Sequence, residues 1–85
     1  MQLIYNSPYY YVLEFPEGAE GKASATGGYE IVDKGLRREI FLRGADAEAF
    51  RQSVQALIAT GPSSDEVDEF LGAYRGLMNQ PVALH

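Results

Sequence analysis

Eighty-five residues without a cysteine, carrying a formal net charge of −5, leave room for one domain with one modest core. The missing cysteines exclude disulfides, thiolate metal sites and cysteine nucleophiles, and the acidic balance disfavours phosphate backbones and anionic lipid. No stretch approaches the roughly 18 apolar residues of a membrane span, and no basic segment followed by an apolar run suggests a secretory signal. The expectation is a single domain over 1–85, cytoplasmic, with neither nucleic acid nor membrane as partner.

In chain order, Leu3-Ile4-Tyr5 forms a short strand candidate and Asn6-Ser7-Pro8 a turn, because proline lacks a ladder donor and Asn and Ser bond their own backbone. Tyr9 to Phe15 is a second strand, rich in the aromatic and β-branched residues that suit a pleated surface, and Pro16-Glu17-Gly18 ends it. Glu17 to Gly27, crowded with small residues, reads as a loop. The strongest signal is Gly28 to Arg43, two strand-like runs around a turn at Lys34 and Gly35. A three-residue loop Asp33-Lys34-Gly35 would place Gly35 in the left-handed region and set Val32 opposite Leu36 and Glu30 opposite Arg38.

Helices follow. Asp46 is the expected N-cap of the first, which runs to about Thr60 with Phe50, Val54, Leu57 and Ile58 on one stripe, and Gly61-Pro62 stop it. Ser63 with Glu66 three residues on is a capping box for the second. Its stripe is Val67, Phe70, Leu71, Tyr74, Leu77 and Met78, of which Phe70, Leu71, Tyr74 and Leu77 are expected to be buried against Phe50 and Val54. Asn79-Gln80-Pro81 ends it, before an apolar tail, Val82 to His85. Consecutive strands followed by consecutive helices predict an α+β fold: an N-terminal antiparallel four-stranded sheet with an antiparallel helical hairpin packed on one face.

Several stretches resemble a known family. They are the opening Met1-Gln2-Leu3-Ile4-Tyr5-Asn6-Ser7-Pro8, Gly27-Gly28-Tyr29-Glu30-Ile31-Val32-Asp33-Lys34, Arg38-Glu39-Ile40-Phe41, Asp68-Glu69-Phe70-Leu71-Gly72, Leu77-Met78-Asn79-Gln80-Pro81-Val82 and the final His85. They look like those of short beta-proteobacterial proteins catalogued only as a domain of unknown function. The resemblance spans nearly the whole chain and implies a bacterial, cytoplasmic, stand-alone protein. It carries no activity, substrate or catalytic residue. Members are expected to differ over Glu17–Thr26.

The chemistry-bearing residues do not assemble into a reactive set. Asp65, Glu66, Asp68 and Glu69 cluster where the helix dipole favours negative charge, and no neighbouring loop supplies the further oxygens a calcium site needs. His85, the single histidine, is a poor base and a poor lone metal ligand. Gly27-Gly28 precedes a strand, so no helix N-terminus waits for a phosphate, and the serines lack a histidine partner other than His85. Tyr9, Tyr10 and Tyr11 could stack bases, but such platforms need a basic groove. The reading is therefore not an enzyme, with no cofactor and no metal; a pocket lined by Tyr5, Tyr9 and Arg38 would reopen that question.

The strands carry apolar groups on both faces, with Tyr9, Tyr11, Leu13 and Phe15 on one face of the second strand and Tyr10 and Val12 on the other. A helical hairpin covers one face, so the sequence points to a non-enzymatic interaction protein that self-associates through its sheet as a homodimer. Tyr9, Tyr10, Tyr11 and Val12 are the candidate interface. The alternative is a regulator or inhibitor that presents the acidic patch Asp65, Glu66, Asp68 and Glu69 to a basic protein partner.

Overall fold

The computed structural model describes residues 1–16 and 27–78 and the backbone of 80–81; the expected loop from Glu17 to Thr26 and the tail Val82 to His85 lie outside the described residues. The elements are β1 (Gln2–Asn6), β2 (Tyr10–Phe15), β3 (Gly28–Asp33), β4 (Arg38–Leu42), α1 (Ala45–Ile58), α2 (Ser64–Gly72), a 3₁₀ turn (Arg75–Leu77) and β5 (Gln80–Pro81). The sheet is antiparallel with strand order β1-β2-β3-β4-β5. The fold is α+β, as the order of strands and helices predicts. The four expected strands gain a two-residue fifth, which pairs Gln80 with Glu39 and Pro81 with Arg38 at the edge of the sheet. So short a strand has no period to read, and proline is tolerated there because an edge strand can spare a donor.

The central hairpin closes in a different register from the one expected. Asp33 pairs with Arg38, Val32 with Glu39, Ile31 with Ile40, Glu30 with Phe41 and Tyr29 with Leu42, across a four-residue loop. The Asp33 carbonyl accepts from the Arg37 amide at 2.8 Å while its Oδ1 accepts from the Leu36 amide at 2.8 Å. This double closure is what a three-residue loop would forgo. The left-handed position falls on Arg37 (φ 57°), not Gly35. The reason lies in burial: this register puts Tyr29, Ile31, Ile40 and Leu42 on one face with Tyr10 and Val12 across β2, whereas the expected one would have divided them between faces. The anticipated Glu30–Arg38 pair does not form across the strands.

That apolar face carries both helices. Phe50 of α1 meets the Tyr29 ring at 5.0 Å and, on α2 and just beyond it, Phe70 at 5.9 Å and Tyr74 at 5.6 Å. A residue early in α1 thus touches the end of α2, so the helices run antiparallel. The other face carries Tyr11, Leu13, Phe15, Glu30, Val32, Glu39 and Phe41, and all six residues of β3 are buried. Phe15, Glu30, Val32 and Glu39 are already withdrawn from solvent within one chain, so the two-sided strands do not by themselves call for a second chain. Phe15 and Phe41 pack edge to face at 5.4 Å, with Gly28 beside Phe41. A Cβ on Gly28 would lie 2.3 Å from the Leu42 carbonyl oxygen, which restricts this position to glycine.

The helix ends correct two further expectations. The N-cap of α1 is Gly44, with no side-chain cap, and Asp46 lies inside the first turn, where its charge still favours the dipole. Ser63 caps α2 through the full capping box with Glu66. Beyond Gly72 the chain tightens to a 3₁₀ turn of about three residues per turn. The expected stripe loses its phase there: Leu77 swings out to 58% exposed and Met78 goes in at 4%.

Leu71→Ala, at 1% exposed, is expected to cost about 2–5 kcal/mol and Leu77→Ala at most about 0.5 kcal/mol. Thermal melts followed by circular dichroism should show a large drop for the first and none for the second. A small drop for Leu71→Ala would mean α2 does not pack as described.

Candidate functional site

The four residues expected to form an interface do not share a surface. Tyr10 and Val12 point under the helices and are buried at 6% and 2%. Tyr9 precedes β2 and is exposed, and Tyr11 is half-buried on the opposite face. Residues that alternate along a strand cannot present one patch, and the helices have claimed the Tyr10 side. An interface built from Tyr10 and Val12 would require the core to open.

The acidic patch is divided as well. The Glu66 carboxylate accepts from the Ser63 amide at 3.0 Å and is consumed by the capping box. Asp68 is half-buried, and its Oδ1 accepts from the Tyr5 hydroxyl at 2.8 Å and the Ser7 hydroxyl at 2.9 Å. Ser7 Oγ in turn accepts from the Tyr9 and Tyr10 amides, so Asp68 holds the β1–β2 turn to α2. Asp65 and Glu69 are left on the surface. Among the described residues no three His, Asp or Glu side chains converge as metal ligands. Tyr9 and Arg38 stand exposed and line neither of the clefts described below.

Two features stand out that the sequence reading did not single out. The first is the outer edge of β1, Gln2-Leu3-Ile4-Tyr5-Asn6, which carries no charged side chain and no proline. Met1, Leu3 and Ile4 are exposed along it. Its pairing with β2 shifts between Leu3 and Tyr5, a bulge that brings Ile4 as well as Tyr5 against the helix side. Alternation along the strand carries no hint of the bulge, although the run of uncharged residues is plain.

The second feature is a groove beside that strand. A cleft of about 150 Å³ is walled by Ile4, Tyr5, Leu57, Ile58, Val67 and Phe70, an almost wholly apolar lining. It shares Ile4, Phe50 and Val54 with a neighbouring cleft of about 230 Å³ that reaches Glu14, Tyr29, Arg51 and Gln55. There the Tyr29 hydroxyl donates to Glu14 Oε2 at 3.0 Å and accepts from Arg51 Nε at 3.0 Å, and Arg51 Nη1 reaches Glu48 Oε1 at 2.6 Å.

The family model described as a protein of unknown function (DUF3567) matches residues 1–85. The chain is 58% identical over 85 residues to Protein BTH_I0359 of the bacterium Burkholderia thailandensis, covering 100% of both chains. No solved structure matches. Among the described residues no helix is long and apolar enough to cross a membrane.

Tyrosines on both faces of the sheet set the molecule's response to alkaline pH. Burial, then the hydrogen bond to Asp68, raises the Tyr5 hydroxyl above its ordinary value; burial raises Tyr10, Tyr11 and Tyr74. Burial also outweighs the lowering by Arg51 at Tyr29. Above pH ~10 the unfolded chain ionises these phenols while the folded chain still holds their protons, so stability is complete below that pH and falls as it rises. Urea midpoints measured from pH 8 to 11 should be flat and then decline; a midpoint that holds beyond pH 10.5 or so would contradict the burial of these hydroxyls.

Proposed function

For a chain that belongs to the family described as proteins of unknown function (DUF3567), we propose a non-enzymatic role in protein interaction, in which the molecule self-associates through its sheet at the β1 edge. The observation that carries this is the contrast between the two edges of one sheet. Among the described residues β5 ends the sheet with two, one of them a proline, which is a common guard against further pairing. β1 ends it with five residues that hold no lysine, no proline and no carboxylate. An outer strand presents a row of backbone donors and acceptors that another strand can complete. Two copies, each of charge −5, repel at most orientations, and the uncharged β1 is where they approach at least cost. Exposed Met1, Leu3 and Ile4 add apolar area to such a contact.

Light scattering coupled to size-exclusion chromatography should give a dimer at high micromolar concentration that survives ~0.5 M salt, because strand pairing and apolar burial are weakly screened. Leu3→Lys should return it to a monomer that keeps its circular-dichroism spectrum, since Leu3 is 52% exposed. A parent protein that stays monomeric overturns the proposal. Self-association that disappears by ~0.2 M salt overturns it as well, and binding of an added basic protein that is lost over the same range points instead to Asp65 and Glu69.

A further inference from the structure

We propose that the groove between β1–β2 and the helices binds a small amphipathic molecule with a short aliphatic body and an uncharged head that both donates and accepts hydrogen bonds, as a primary amide does. The two clefts adjoin, with Ile4, Phe50 and Val54 lining both. One end is apolar, and its lips are isoleucines left in water, Ile4 at 41% and Ile58 at 62% exposed. Exposed branched side chains bordering an apolar cleft lose solvent contact when an aliphatic chain settles between them. The clefts, about 150 and 230 Å³, lie below the ~300–1,000 Å³ of drug-sized pockets, which limits the ligand to a few carbons and one head.

The other end defines that head. Tyr29 spends its hydroxyl on both neighbours, donating to Glu14 and accepting from Arg51. This fixes a carboxylate and a guanidinium side by side. Glu14 bonds Tyr29 through Oε2, and Arg51 uses Nε and Nη1, so Glu14 Oε1 and Arg51 Nη2 take part in none of these bonds. The lining thus offers one acceptor and one donor, with opposite charges that cancel. A charged head would lose hydration and meet an opposing charge along with its partner. An amide gives its N–H to Glu14 and its carbonyl to Arg51 with no charge to desolvate. Glu48, beside Arg51, tilts the balance toward cations, so an ammonium head is the nearest competitor.

Amide chemical-shift titration of the ¹⁵N-labelled protein with hexanamide, hexanoate and hexylammonium tests this. Hexanamide is expected to give saturable shifts at Ile4, Tyr29, Val54 and Leu57, and to bind at least ~5-fold tighter than either charged homologue. Arg51→Met should weaken hexanamide ~10-fold, the size of one hydrogen bond to a charged group, and abolish the preference among heads. Val54→Phe should fill the shared floor and remove the shifts. Ile58→Ser, at an exposed lip that cannot unfold the core, should weaken all three probes. The proposal is overturned if hexanamide gives no saturable shift or shifts residues elsewhere. It also fails if the charged homologues bind as well as the amide, or if Ile58→Ser and Arg51→Met leave hexanamide binding unchanged. Ile4 borders both the groove and the β1 edge, so the titration is run on Leu3→Lys, which is monomeric whether or not the parent dimerises, and this inference and the edge pairing then stand or fall separately.

Discussion

The ring of Phe50 is where the sheet and both helices meet. At 1% exposed it touches Tyr29 on β3, Phe70 on α2 and Tyr74 just beyond α2, and Phe70 and Tyr74 also touch each other at 5.9 Å. Each such aromatic pair adds about 0.5–1.5 kcal/mol beyond the area it buries. In a domain whose total stability is about 5–15 kcal/mol, a residue shared by three of these pairs decides whether the helices dock at all. The hairpin register follows from the same demand. Tyr29, Ile31, Ile40 and Leu42 must all reach the layer that Phe50 anchors, and a four-residue turn is what brings them there.

Two aspartates secure the polar side of that arrangement. Asp33, with its side chain 6% exposed, closes the β3–β4 turn with one oxygen and holds Arg75 at 2.9 Å with the other. Asp68 performs the matching task from α2, gripping Tyr5 and Ser7. Lys34 then joins the two turns at that end of the sheet, its ammonium donating to Asn6 Oδ1 and the Ser7 carbonyl at 2.6 Å each. A carboxylate taken out of water must be fully partnered, and removing one partner costs more than the pair contributes. The acidic residues that look like a surface patch in the sequence are therefore partly the fastenings of the fold.

Composition and period made the class of fold legible. The strand runs, the capping box at Ser63 and the stop at Gly61, which adopts φ 67°, all stand where the residues imply. Three things were hidden, each for a physical reason. The hairpin register depended on burial across four strands, which outweighed the charge pairing that favoured Glu30 opposite Arg38. The phase of Leu77 depended on a change from α to 3₁₀ winding after Gly72, and stripe counting assumes one winding throughout. The candidate site was hidden because it belongs to an edge and a groove: Glu14, Tyr29 and Arg51 are far apart in sequence and become neighbours through β2–β3 pairing and the seating of α1.

The sheet is a meander whose strand order repeats the chain order. Every pairing up to β4 joins consecutive segments, so each new strand has its template already in place and the entropy of closing each described turn is small. During synthesis the first four strands can zip together before α1 and α2 have left the ribosome. Through that interval the apolar face that will receive Phe50 is bare, and β1 is the edge that stays open from the first hairpin onward. A nascent chain of this design is most adhesive when it is half made, and the arrival of the helices is what ends that exposure.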